Sequence, residues 1–279
     1  MKLSITFLRK LLIVGMLLAA CALQAWHFVI DIPRTLIDVD AGSFFKDEIG
    51  ASGILYTLTF NNPAKLKDKT FGVLNELGVQ NGPTDQLARD PEGTVLPQVY
   101  CDFLLGKEHA CKHARSKVRS LTSADNSMEN GLIENITEAI FSPAKLAKHA
   151  KIVKDGHKLV QDFQRIHGQG SVYIMSNLNK PALEELYNAK HTNPAMRHFS
   201  GDRIFISEKM KVLLPHPTCF EVLARNAAQK GINLDQCVFI SSMQWNVQAA
   251  RQAGLKAVWV ENKDFKKARK ELQALGVAL

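Results

Sequence analysis

The chain has 279 residues, 46% of them hydrophobic, and a formal net charge of +8 at pH 7. That is enough apolar material to bury a full core in one α/β domain with an insertion. Three of the positive charges lie near the N-terminus, and no basic arm interleaved with aromatics occurs, so the composition gives no ground for a nucleic-acid partner.

Residues 1–25 read as a targeting segment. Lys2, Arg9 and Lys10 precede an apolar stretch over residues 11–23, which is signal-peptide length. Within it, Leu18-Ala19-Ala20-Cys21 resembles a bacterial lipobox, in which Cys21 would be lipidated and become the mature N-terminus. Cleavage after Ala22 or Ala25, or retention as a membrane anchor, are the alternatives. Export or membrane association through this segment is expected ahead of a cytoplasmic location.

A short apolar strand follows at 28–31. The pattern then turns helical from about 44 to 168, with apolar residues at helical spacing over 63–77, 97–105, 109–121 and 142–165. Gly82-Pro83 and Asp90-Pro91-Glu92-Gly93 mark turns. Strands are predicted again near 171–175, 203–206, 236–240 and 256–260, alternating with helices near 181–189, 217–230, 245–254 and 264–275. Such alternation predicts a mostly parallel, doubly wound sheet.

Cys101 and Cys111 stand close enough to pair in an oxidising compartment, whereas Cys219 and Cys237 read as buried thiols. His109 and His113 share one helical face, but two ligands do not make a structural zinc site. Lys145, Lys148, Lys151, Lys154 and Lys158 form a stripe that reads as a solvated helix face, or as a surface for anionic headgroups if the chain is tethered.

Three segments carry the chemistry. Phe28-Val29-Ile30-Asp31-Ile32-Pro33-Arg34-Thr35-Leu36-Ile37-Asp38 comes first, then Val172-Tyr173-Ile174-Met175-Ser176-Asn177. The third runs from Val238-Phe239-Ile240-Ser241-Ser242-Met243 through Asn246-Val247-Gln248-Ala249-Ala250 to Gly254. Each is an apolar run ending in small or polar residues, as buried strands present a site at their carboxyl ends. Their order and spacing resemble the haloacid dehalogenase (HAD) superfamily over roughly residues 27–275.

The resemblance implies an α/β fold: a Rossmann-like HAD core at 26–43 and 169–279, with a helical cap inserted at 44–168. It puts Asp31 at the nucleophile position and Ser176 and Asn177 at the phosphate site. Four family positions are replaced. Pro33 stands where a general acid/base aspartate belongs and has no proton to give. In Leu213-Leu214-Pro215-His216-Pro217, Leu214 occupies the lysine position. Ser241 and Ser242 stand where carboxylates hold Mg²⁺, and hydroxyls are poor ligands for a hard dication. Mg²⁺ is the family's cofactor, but its ligands are missing, so neither cofactor nor metal is expected.

The resulting expectation is a hydrolase-family protein without Mg²⁺-dependent phosphatase activity. It would keep a pocket around Asp31 for a small molecule or a protein partner. One alternative is an active HAD-type hydrolase using Asp31 on a phosphate ester or on carbon, with a cap lysine or arginine as the missing cation. The other is an exported membrane-surface module acting through the basic cap face.

Overall fold

A computed structural model describes residues 26–50, 63–124 and 127–279. The expected targeting segment, with Cys21, lies outside the described residues. No helix among the described residues is long and apolar enough to cross a membrane.

The centre of the molecule is a parallel five-stranded sheet in the order β5-β4-β1-β6-β7. Its strands are β1 (His27–Ile30), β4 (Val172–Ser176), β5 (Ile204–Ile206), β6 (Cys237–Ser241) and β7 (Lys256–Trp259). β1 lies between β4 and β6, with Phe28 opposite Val172 on one side and Val238 on the other. Phe28, Val29 and Ile30 are wholly buried because helices cover both faces, which is why the strand reads as an unbroken apolar run. From β1 the chain builds β4 and β5 to one side and then β6 and β7 to the other. The carboxyl end of β1 is therefore the topological switch point, where open α/β sheets leave a crevice. Asp31 is the first residue beyond it.

A second sheet marks the root of the insertion. β2 (Ile37–Val39) and β3 (Ala150–Ile152) pair antiparallel, Ile37 against Ile152 and Val39 against Ala150. Between them lie the cap helices Pro63–Asn75, Gln98–Leu104, His109–Ala124, Met128–Ile140 and Pro143–Lys148. Leu66, Leu74, Phe103, Val118, Ile133 and Phe141 help form a hydrophobic cluster separate from those against the sheet. The expected Rossmann-like HAD core with a helical cap is thus the observed architecture.

The single helix expected over 142–165 is instead a helix, strand β3 and a second helix, Lys154–His167. That second helix packs on the central sheet: Phe163 stacks on Phe28 at 4.6 Å, and Leu159 and Val160 join the same core cluster. By its packing it belongs with the core, which shortens the cap from the expected limit of 168.

The break also divides the lysine stripe. Lys145 and Lys148 pair with Glu48, Lys148 also with Asp47, and Lys151 on β3 lies 3.7 Å from Asp40. Lys158 pairs with Asp162 four residues along its own helix. The stripe is therefore not one helical face, and these four lysines are ion-paired. The cysteines considered for a disulfide, Cys101 and Cys111, are free, with the Cys111 thiol 3.7 Å from the Phe141 carbonyl. Cys219 and Cys237 are buried thiols, as expected.

Gly156 has a specific packing role. A Cβ there would lie 1.8 Å from the Thr35 carbonyl oxygen, so only glycine lets the Lys154–His167 helix meet the turn that follows Asp31.

Candidate functional site

Asp31 is 1% exposed, and its carboxylate is held by uncharged donors. Ser176 Oγ, at the end of β4, donates to Oδ1 at 2.8 Å. Ser241 Oγ, at the end of β6, donates to Oδ2 at 2.7 Å, and Asn246 Nδ2 donates to the same oxygen at 2.9 Å. Each serine hydroxyl also accepts a backbone N–H, from Ile32 at 3.4 Å and from Met243 at 3.0 Å, which fixes its direction. No ion pair found among the described residues involves Asp31. Burial pushes its carboxyl above the usual aspartate range, against the opposing hydrogen bonds of Ser241, Ser176, Asn246 and the Ile32 N–H.

Ser242, Asn177 and Leu214 are also engaged. Ser242 Oγ donates to the Pro33 carbonyl at 2.8 Å, and Ser242 N–H donates to Thr35 Oγ1 at 2.9 Å. These bonds tie the loop after β6 to the turn after β1. The Asn177 amide bonds both ways to Leu214, donating to its carbonyl at 2.8 Å and accepting its N–H at 2.7 Å. The Leu214 side chain is buried among Met175, Phe205 and Phe220. Lys209 and Lys211 do not line the cavity above Asp31.

This donor set does not fit Mg²⁺. A hard dication needs several oxygen ligands, usually including carboxylates or phosphate. Here the one carboxylate accepts three side-chain donors, the Ser241 hydroxyl among them, while the Ser242 hydroxyl donates to the Pro33 carbonyl. Among the described residues no cluster of three His, Cys, Asp or Glu side chains could hold a metal. His109 and His113 have ring centroids 5.1 Å apart, and His109 lies 3.8 Å from Asp102 on the outside of the cap.

Above Asp31, between core and cap, is a cavity of about 400 Å³. The cap lines it with Phe71, Tyr100, Leu104, Ile136 and Ile140, and the core contributes Pro33, Asn177, Met243 and Asn246. Charged groups of the cap gather on part of its wall. Lys67 Nζ lies 2.7 Å from Asp90 and 3.6 Å from Glu92, and Glu92 also pairs with Arg34 from the core. Burial disfavours the Lys67 charge, but Asp90 and Glu92 outweigh it and hold its pKa above the ordinary value. Arg89 donates to the Gly93 and Thr84 carbonyls.

The cap is fastened directly to the core beside this cavity. Asn179 caps the Lys180–Asn188 helix by accepting the Ala182 N–H, and its amide donates to the Phe103 carbonyl at 3.0 Å. Ser207 Oγ donates to the Leu104 carbonyl at 2.8 Å. The last carbonyls of the Gln98–Leu104 helix, which a helix leaves unsatisfied, are thus held by side chains of the core.

The structure brings together Asp31, Ser176 and Ser241 at one carboxylate, with Asn177, Pro33, Leu214 and Ser242 in the surrounding loops. Sequence reasoning used Asn246 only to set the register; its Nδ2 is a direct partner of Asp31. Lys67 and Tyr100 were also missed, because nothing local in the sequence shows which cap side chains face the core.

No family model matches the chain, and no curated protein does. Solved structures with a similar chain course were found. A dehalogenase is 15% identical, covering 92% of this chain and 99% of its own, with a TM-score of 0.49. A HAD family enzyme from Bacteroides thetaiotaomicron is 15% identical, covering 87% and 97%, with a TM-score of 0.48. An L-2-haloacid dehalogenase from Xanthobacter autotrophicus, with chloropropionic acid covalently bound, is 13% identical, covering 90% and 84%, with a TM-score of 0.46. By its own strand order, and by the helices inserted after the first strand, the chain has a parallel, Rossmann-like α/β core with a helical cap.

Proposed function

We propose that this chain binds a ligand in the cavity over Asp31 and does not carry out Mg²⁺-dependent phosphoryl transfer. The observation that supports this reading is the set of uncharged donors on Asp31, with Ser241 and Asn246 on one oxygen and Ser176 on the other. Phosphoryl transfer relies on positioning and on neutralising developing negative charge. A phosphate dianion placed here would meet an aspartate with no cation among its partners. Hydrolysis of phosphomonoesters and acetyl phosphate, with and without Mg²⁺, tests the reading with Asp31→Asn as control. No metal-dependent turnover is expected; turnover that needs Mg²⁺ and disappears in Asp31→Asn would overturn it.

A second reading is favoured by Lys67, which lines the same cavity as Asp31. In it, the Asp31 carboxylate attacks the carbon that bears a halogen, the carbon–halogen bond breaks as the ester forms, and the halide leaves with its pair of electrons, the cap lysine supplying the cation that Leu214 does not. Mass spectrometry after exposure to short 2-haloacids tests it. An adduct on Asp31 that is lost in Lys67→Met would favour this reading over ligand binding alone, and unmodified protein would count against it.

A further inference from the structure

Away from the charged cluster of Lys67, Arg89, Asp90 and Glu92, the cap side of the cavity is hydrocarbon and ring: Phe71, Ile136, Ile140 and Leu104, with Met243 contributed by the core. A cavity of about 400 Å³ is within the range of small-molecule sites, which place a few polar groups in a mostly apolar wall. Two polar groups of this wall have capacity to spare. Asp31 Oδ1 accepts one side-chain donor where Oδ2 accepts two, the neighbouring Ile32 N–H is directed at Ser176 Oγ, and a carboxylate oxygen can accept two. The Tyr100 hydroxyl has no hydrogen-bond partner among the described residues, and burial pushes it up to about 12, so it stays protonated.

Charge then selects the ligand. A buried carboxylate without a cation is costly, a ligand carrying positive charge relieves that cost, and an anion adds like-charge repulsion. The cations on the wall are already occupied: Lys67 by Asp90 and Glu92, and Arg89 by two backbone carbonyls. Resting on the reading that this cavity is a ligand site, we propose that its ligand is an apolar amine. The hydrocarbon or aromatic body lies against Phe71, Ile136 and Ile140, and the protonated amino group donates to Asp31 Oδ1. This class is the reverse of a phosphate ester, and it follows from an aspartate whose side-chain partners are the neutral Ser176, Ser241 and Asn246.

Ligand-observed NMR titration with the purified protein tests this, using hexylamine, 1-hexanol, hexanoate and hexyl phosphate, which share a chain and differ in the head. Hexylamine is expected to bind at least about tenfold more tightly than hexanoate or hexyl phosphate, a difference of about 1.4 kcal/mol. In Asp31→Asn its advantage over 1-hexanol should vanish. Ile140→Trp, which fills the cavity from a half-buried wall position, should weaken all four. Hexanoate or hexyl phosphate binding as tightly as the amine would overturn the head-group assignment while leaving the cavity as a ligand site. Failure of all four to bind would overturn both readings. Hexylamine binding that survives both substitutions would place the amine elsewhere and also overturn the proposal.

Discussion

Asp31 is an almost wholly buried acid whose side-chain partners are all uncharged. Its folded-state pKa is raised by burial, so the sign of the pH effect is fixed. Below the ordinary aspartate value the carboxyl is protonated in folded and unfolded chains alike, and no penalty applies. As pH rises from the ordinary value to the raised folded one, the unfolded chain gives up this proton while the folded chain keeps it, so stability falls, and it levels off once the folded acid also ionises. Asp31→Asn removes that step. Its stability relative to the wild type, from denaturant melts between pH 4 and 8.5, should rise with pH and then level off; a flat difference would contradict the buried-acid account. His157 and His198 act in the opposite sense. Their rings share a 2.9 Å contact, and burial first, with the nearby charges, holds His198 down to about 4. The unfolded chain therefore takes up protons first as pH drops from about 6.5, which lowers stability in both proteins and cancels in the difference. At this scale Asp31 and Ser176 were legible because each ends an apolar run. The donor role of Asn246 was not, since it depends on a helix after β6 returning over the end of β1.

Elements were legible in proportion to how fully they are buried. The five core strands stand out because helices cover both sheet faces and leave continuous apolar runs. β3 has three residues, Ala-Lys-Ile, within a lysine-rich stretch whose spacing mimics a helix, and only its pairing with β2 defines it. Gly156, inside the Lys154–His167 helix, marks a contact that helical spacing does not show, its close approach to the turn after Asp31. Gly156→Ala, despite alanine's better helix propensity, should destabilise the fold by about 1–3 kcal/mol, the usual range for overpacking. Denaturant melts measure this, and a stabilised variant would show that the helix and turn are not in contact.

For the molecule as a whole, the relation of cap to core decides what the cavity can admit. A cap fixed through the Phe103 and Leu104 carbonyls holds Tyr100 and Leu104 over Asp31 in one arrangement. Ser207→Ala should cost about 1 kcal/mol, typical of a lost hydrogen bond. It should also speed hydrogen exchange in the Gln98–Leu104 helix more than in β1, since that bond joins cap to core. Equal acceleration in both would mean that core and cap open as one unit. The two-part architecture was legible in the change from α/β alternation to helices and back. The place where the cap docks was not, because it rests on side chain to carbonyl bonds between residues about a hundred positions apart.

The proposed ligand site depends on Asp31 being held by neutral donors with no metal beside it. Thermal melting of the wild-type protein across a Mg²⁺ titration, with Asp31→Asn beside it, tests that most directly. The account predicts the same melting temperature at every Mg²⁺ concentration in both proteins. A saturable, Mg²⁺-dependent rise in the wild type that is absent from Asp31→Asn would contradict it.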